Sequence, residues 1–455
     1  MRNSAVKIVK TLQDAGYQAV FAGGCFRDQL LGTAPHDYDI ATSATPDMVE
    51  KMFEKTIPVG KAFGVVTVLL NDFAFEVATF RNDGNYTDGR HPDQVRFASM
   101  QEDAYRRDIT INGMFYDPIE DKIYDYVDGQ KDLAKHSIRF IGHPLDRIKE
   151  DKLRMLRVIR FALRFDFSIE MDSYLHIETM AKHITDVSIE RISDEFLKIL
   201  RTRKYRKALG LLVHTKMLHQ FLPDVVRLMG VEQPVDYHPE GDCWEHTIKA
   251  LEALPNDASD ELTMATLLHD IGKPPTQTLE DRIRFNEHDR VGAKMADKRL
   301  RAMKFSTEFV DHVVCLVANH MKFQHVQKMR LSTLKKFIRI PKFEEHLALH
   351  KADCLSSHGS VENYDFVVAK MNSFEPEQLR PAPLVTGHDL IAMGLKPGPM
   401  FKDWLEEVEN KQLENTISTR EEALALVQRK YDFLTQKFNA DVAKEVGHNY
   451  ENSHP

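Results

Sequence analysis

Two aspartates one residue apart, Asp37 and Asp39 in the stretch HDYDIA, are the strongest chemical signal in the chain. On a strand, residues i and i+2 point to one side, so both carboxylates would face the same space and could share a pair of divalent ions. Two ions about 3.5–4 Å apart can activate an attacking hydroxyl and stabilise departing pyrophosphate in an in-line displacement. Upstream, Gly23 and Gly24 precede a predicted helix. Lacking Cβ atoms, they let backbone approach a ligand closely, and the N–H groups of a helix start favour phosphate. Each feature alone has an ordinary alternative, a plain turn or a solvated strand edge. Glu76, on the predicted strand FAFEVATF, is a candidate third acidic group and equally a strand-edge glutamate.

A second constellation lies between residues 238 and 358, where histidines cluster: His246, the pair His269-Asp270, His288, His320 and, with them, Asp353. Imidazoles and carboxylates on separate helices can converge on one divalent ion. Gly272-Lys273 follows the His-Asp pair.

The stretch EDKLR offers a physical basis for choosing a base. In a helix, Asp151 and Arg154 share a face, with Glu150 one turn before Arg154. Cytosine and adenine present an exocyclic amine beside an unprotonated ring nitrogen, whereas uracil and guanine present a carbonyl beside a ring N–H. A carboxylate accepting from the amine, next to a guanidinium donating to the ring nitrogen, would admit C and A and reject U and G. A surface i,i+3 ion pair is the competing explanation. Arg157, Arg160 and Arg164 continue this helix as a basic stripe that could face nucleotide or RNA, or simply cover apolar surface.

Taken in order, the glycine pair, Arg27-Asp28, the aspartate pair, RRDITIN (Arg106 to Asn112) and EDKLR resemble the class II nucleotidyltransferase family, which includes CCA-adding enzymes and bacterial poly(A) polymerases. The resemblance is strong over roughly residues 15–220 and continues to the tail. It implies that Asp37 and Asp39 hold Mg2+ and that Gly23, Gly24 and Arg27 contact a triphosphate. Arg106, Arg107, Asp108 and Asn112 would hold sugar and phosphates, and Glu150, Asp151, Arg154 and Arg157 would line the nucleotide. The implied partners are ATP, CTP and tRNA, and A-only or poly(A) addition would use the same motifs. The pattern H…HD…D resembles the HD phosphohydrolase family. That resemblance makes His246, His269, Asp270 and Asp353 ligands of a divalent transition metal, with His288 and His320 as further candidates, acting on phosphate or cyclic phosphate at RNA ends. A degenerate HD fold that only supports RNA is its alternative.

The elements that must position these groups follow from patterning. Residues 5–16 predict an amphipathic helix and YQAVFAGG a strand entering a glycine turn. VVTVLL and FAFEVATF predict a hairpin turning at Asn71-Asp72. From about 150 onward the apolar spacing is helical. The expected fold is α+β: a mixed-sheet head over 1–145, a helical neck over 146–230, an HD body over 231–375 and a helical tail over 376–455. The polar segment Arg81 to Phe97 resembles a mobile loop beside the active site. The basic run Arg201, Arg203, Lys204, Arg206 and Lys207 around Tyr205 reads best as a solvated inter-helix junction. At 455 residues, more than one core is expected. No apolar run reaches the ~20 residues of a membrane span, and the first residues lack a secretory core, so a cytoplasmic location is expected. Four scattered cysteines without a C-x-x-C pair argue against a disulfide framework, and a net charge of -8 means RNA contact must be local.

Overall fold

The computed structural model describes residues 1–58, 60–83, 95–234 and 241–451. It divides into two compact units, Met1–Val317 and Ala318–Pro455. In the first, α1 (Arg2–Asp14), β1 (Ala19–Ala22), α2 (Gly24–Leu30), β2 (Ile40–Thr42), α3 (Pro46–Met52), β3 (Thr56–Ile57), β4 (Val65–Leu70) and β5 (Phe73–Thr79) come first. There follow β6 (Arg81–Asp83), β7 (Val95–Phe97), α4 (Met100–Tyr105), β8 (Phe115–Asp117), β9 (Lys122–Tyr124) and α5 (Gly129–Ala134). The head sheet has seven strands in the order β3-β4-β5-β2-β1-β8-β9, antiparallel except for the β2–β5 pair.

All four residues of β1 are buried because both faces of the sheet are covered. Ile8, Val9 and Leu12 of α1 pack with Phe21, Phe26, Val66 and Phe75 in one core. Val20, Phe80, Met100 and Phe115 form another. The β4–β5 hairpin turns at Asn71 and Asp72, with φ of 50° and 62°, and Leu70 pairs with Phe73. Two left-handed residues match the strand twist as a type I′ turn does, so N-D suffices here.

Next are β10 (Ser137–Ile138), α6 (Pro144–Glu150), α7 (Arg154–Phe165), β11 (Ser168–Ile169), α8 (Met171–Met180), α9 (Ile189–Leu200), α10 (Tyr205–His214), α11 (Leu218–Phe221) and α12 (Pro223–Val226). Then come α13 (Cys243–Glu252), α14 (Asp260–Leu268), α15 (Lys273–Thr276), the hairpin β12 (Gln277–Leu279) and β13 (Ile283–Phe285), α16 (His288–Ala302) and α17 (Thr307–Asn319). The expectation of helix throughout after residue 150 is thus corrected by β11, parallel to β10, and by the β12–β13 hairpin. Two- and three-residue strands are too short to override helical spacing in a sequence window.

The second unit is helical, with α18 (Leu331–Ile338), α19 (Phe343–Ser356), α20 (Glu362–Ser373), α21 (Pro376–Leu379), α22 (Gly387–Ala392), α23 (Pro399–Leu413) and α24 (Arg420–Glu451). Phe323, Phe337, Phe343 and Val367 centre one of its cores, and Leu390, Trp404, Val408 and Val427 another. Among the described residues no helix is long and apolar enough to cross a membrane.

Candidate active site

The glycine pair sits where β1 ends. Gly23 has φ of 64°, and a Cβ there would stand 3.0 Å from an Arg107 guanidinium nitrogen, so both turn and close approach require glycine. Asp37 to Asp39 precede β2 rather than lying within it, which corrects the expected strand placement. Asp39 is nevertheless held at the sheet, its carbonyl accepting from Ala22 N–H at 3.0 Å. Ile40 pairs with Val77 in parallel register, so Asp39, at the entry to β2, and Glu76 on β5 each come one residue before that pair. Burial, then the like charges of Asp37 and Glu76, push the Asp39 carboxyl up to about 6 against the pull of Arg107. Three mutually repelling carboxylates with so little compensation fit a divalent cation.

These groups open on a cleft of about 700 Å³. Of the nucleotide-site candidates, Gly23, Gly24, Arg27, Asp37, Asp39, Arg106, Arg107, Asp108, Asn112, Asp151, Arg154 and Arg157 all line it, while Glu76 and Glu150 are not among the lining residues. Nine arginines against five aspartates give the lining a positive excess suited to a triphosphate.

A continuous polar network fixes the arginines. Arg164 donates to Asp28 at 3.1 Å, and Arg27 donates to Asp28 at 2.8 and 2.6 Å and to the Asn112 side-chain oxygen. Asn112 donates in turn to Asp108 at 3.3 Å, and Arg157 grips Asp108 at 2.8 and 2.6 Å. Burial alone would raise the Asp108 carboxyl, but Arg157 and Arg154 bring it far below the usual range. RRDITIN follows α4, which ends at Tyr105, and turns through a short 3₁₀ stretch, Thr110–Asn112. Asp103 was missed by sequence reasoning. Buried in α4, it accepts from Arg106 at 2.9 and 2.7 Å and from Arg107 at 3.2 and 3.1 Å, aiming both into the cleft.

EDKLR is not one helix. Helix α6 ends at Glu150, Asp151 is extended with φ of -146°, and α7 begins at Arg154. The break exists because the Asp151 carboxylate accepts from Leu153 N–H at 3.0 Å. Arg191 of α9, also unforeseen, clamps Asp151 at 2.7 and 3.3 Å. Arg154 donates to Glu150 and to the backbone carbonyls of Arg147 and Arg106, the last two at 3.1 Å each. Asp151 and Arg154 still face one cleft, brought there by the helix break.

Away from the cleft, the first unit gathers His246, His269, Asp270 and His288. His246 and His269 Nε2 atoms are 3.2 Å apart, and Asp270 lies 3.3 Å from His269, 3.7 Å from His246 and 3.5 Å from His288. His269 Nδ1 meets the Thr266 carbonyl at 2.7 Å and His288 Nδ1 the Phe285 carbonyl at 2.8 Å. Only N–H can satisfy a carbonyl, so in the neutral rings both Nε2 atoms carry lone pairs turned toward the carboxylate. Burial lowers the His288 pKa and keeps that ring neutral. Burial opposes ionisation of Asp270, yet His269 in its charged form and Lys273, the latter at 2.7 Å, hold it well below the usual range, and in the neutral form of that ring the same Nε2 is open to a metal. Convergent lone pairs and a carboxylate make a metal-type donor set. His320 and Asp353 belong to the second unit, where His320 is buried and opens a 3₁₀ segment and Asp353 lies on α19.

The cations of the junction run are committed to protein partners: Arg201 to Asp260, Arg203 to the Leu254 and Pro255 carbonyls, Lys204 and Lys207 to Asp166, and Arg206 to Glu245 and Glu252. Residues 84–94 of the expected mobile loop lie outside the described residues.

A mixed-sheet head with paired carboxylates beside a basic cleft defines a nucleotidyltransferase. Family models match in three places: the poly(A) polymerase head domain over residues 19–139, the RNA- and SrmB-binding site of polymerase A over 166–229, and the tRNA nucleotidyltransferase domain 2 over 289–427. The CCA-adding enzyme of Levilactobacillus brevis is 31% identical over 418 residues, 92% of this chain and 95% of that protein, and the chain belongs to the CCA-adding enzyme family. The Bacillus pumilus CCA-adding enzyme is 43% identical over 220 residues, and there the match spans 54% of the relative's length. The structure of the Bacillus stearothermophilus CCA-adding enzyme in complex with CTP superposes with a TM-score of 0.70 at 26% identity, covering 95% of this chain and 98% of that one. A Thermotoga maritima CCA-adding enzyme complexed with tRNA, at 17% identity and a TM-score of 0.57, shares the fold.

Proposed function

We propose that this chain adds C and A residues to the 3′ end of tRNA from CTP and ATP, building and repairing the CCA end without a nucleic-acid template. The observation that carries the reading is a single cleft with the Asp37–Asp39 pair and the Asp151–Arg154 pair both in its wall. Asp37 and Asp39, with Glu76, would hold Mg2+, which when bound stabilises charge on the transferred phosphate and the leaving pyrophosphate. Arg27, Arg106 and Arg107 neutralise the triphosphate, and Asp103 and Asp28 keep them aimed. Asp108 and Asn112 orient sugar and phosphates. Asp151 accepts from an exocyclic amine and Arg154 donates to the adjacent ring nitrogen, so that protein side chains take the place of a template strand.

In this reading residues 1–145 form the catalytic head, 146–230 the selecting neck, 231–375 the HD body and 376–455 the tail. A cytoplasmic location goes with it. The test is the product sequence on tRNA lacking its end, given CTP and ATP separately and together. Addition of C, C and A in that order supports the reading, and A alone or an A tract sustains instead an A-adding enzyme. Replacing Asp151 and Arg154 by alanine should abolish discrimination against UTP and GTP.

The convergent Nε2 lone pairs favour a second activity. His246, His269, Asp270 and His288 would hold a divalent transition metal and remove phosphate or cyclic phosphate from damaged RNA ends, with Lys273 near the developing charge. Chelator-sensitive phosphate release from a 2′,3′-cyclic-phosphate RNA, lost on His269→Ala, tests this; no release with any divalent ion ends it.

A further inference from the structure

Gln233 is only 5% exposed, yet the fold leaves half of its amide unanswered. Its Oε1 accepts from Lys273 Nζ at 2.6 Å, while its Nε2 has no hydrogen-bond partner among the described residues. The partner fixes which amide atom is which: an ammonium only donates, so the atom facing Lys273 is the oxygen and both N–H bonds lie at the other end. Buried donors without a partner are uncommon, because each has given up its water for nothing.

The amide is held from two sides. Gly230 N–H donates to the Asp242 carboxylate at 2.5 Å and Cys243 N–H to the Val231 carbonyl at 3.0 Å, which ties the segment entering Gln233 to the start of α13, the helix of His246. Asp242 also caps that helix, accepting from Glu245 N–H at 2.9 Å. From the other side Lys273 bridges Gln233 to Asp270, its ammonium 5.6 Å from the Phe285 ring centre. Gln233, Lys273 and Asp270 therefore form a continuous chain of contacts that ends among His246, His269 and His288.

We propose that Gln233 is a phosphate-binding residue of this histidine centre: its Nε2 donates to a phosphoryl oxygen of the bound molecule, and with Lys273 it forms the anion-receiving side of the site. The proposal rests on the reading of that centre as one that acts on phosphate. An amide nitrogen has no lone pair to offer a cation, so Nε2 is not a further metal ligand. Donors beside an ammonium suit an anionic oxygen. A phosphoryl group has oxygens enough to meet the amide, the ammonium and a divalent ion together, whereas a carboxylate has two.

The test titrates inorganic phosphate into the full-length protein loaded with Mn2+, comparing wild type, Gln233→Met and Gln233→Glu. Phosphate and Mn2+ binding that His269→Ala retains belongs to the nucleotide cleft and is subtracted. Gln233→Met should raise the phosphate Kd about tenfold, the effect of one hydrogen bond to a charged group. Gln233→Glu, which keeps an acceptor for Lys273 but has no donor, should raise it at least as far. Mn2+ affinity in Gln233→Met and the rate of C addition to tRNA should stay at wild-type values. A wild-type phosphate Kd in Gln233→Met overturns the proposal; so does one in Gln233→Glu, which would leave the amide only holding Lys273 in place. An equal loss of Mn2+ affinity in Gln233→Met also overturns it, since the residue would then support the metal ligands instead. Should Gln233→Met melt early, Gln233→Glu decides alone. No phosphate binding by the unmodified protein above the His269→Ala background would remove the phosphate reading of the centre itself, and this proposal with it.

Discussion

Asp39→Asn should stabilise the metal-free protein while abolishing nucleotide addition. The Asp39 carboxyl titrates near 6 instead of 3.8 because burial and the charges of Asp37 and Glu76 disfavour its ionised form. A carboxyl whose folded pKa is raised ionises more readily in the unfolded chain, so wild type loses stability as pH rises from about 4 to 6 and carries the full penalty above 6. Two pKa units correspond to about 3 kcal/mol, and solvent screening of this half-buried group reduces the expectation to about 1–2 kcal/mol. Thermal melts in chelator should coincide below pH 4 and separate above pH 6, with Asp39→Asn the more stable. Adding Mg2+ should reverse the order, because binding stabilises only the protein that retains the ligand. Asp39→Asn melting at or below wild type at pH 8 in chelator would refute this account of the carboxylate cluster.

Asp108→Asn should destabilise by about 3 kcal/mol at pH 7, the low end for breaking a buried ion pair, since the Arg157 side chain is 36% exposed. As the folded Asp108 pKa is depressed, the difference should hold above pH 4 and shrink as pH falls further; a double-mutant cycle with Arg157→Met showing additivity would contradict the coupling. Gly272→Ala should cost about 3 kcal/mol or more and displace α16, since the new Cβ would meet the His288 carbonyl oxygen at 2.0 Å and Gly292 N at 2.6 Å; an unshifted melt disproves that crossing. His350 is stacked 4.3 Å from Phe323, and burial lowers its pKa to about 4, so His350→Phe should remove up to about 3 kcal/mol of the stability wild type loses between pH 6.5 and 4. Parallel pH profiles for the two proteins would exclude it.

Legibility in the sequence followed the range of the interactions. The glycine pair, the aspartate pair and the N-D hairpin were readable because their geometry is set within a few residues. Asp151 and Arg154 line one cleft, but their place at a helix break was not readable, because Leu153 N–H and Arg191, 40 residues away, hold Asp151 out of helical conformation. Asp103 carries no local mark of function: it is a helix aspartate until the fold buries it against two arginines. The paired strands β10 and β11 come from segments about thirty residues apart and are too short to show alternation. The histidines of the first unit stood out by clustering, whereas their tautomers depend on the Thr266 and Phe285 carbonyls that the fold supplies.

The central claim is that Asp37 and Asp39 support pyrophosphate release at a site whose base choice is made by protein side chains. It is tested most directly by following pyrophosphate and product sequence together on a tRNA lacking its last three nucleotides. The account predicts two C additions with CTP alone, a completed CCA with both nucleotides, no incorporation of U or G, and loss of all pyrophosphate release in Asp37→Ala. Full incorporation by Asp37→Ala, or indifferent use of all four nucleotides by the unmodified protein, would contradict it.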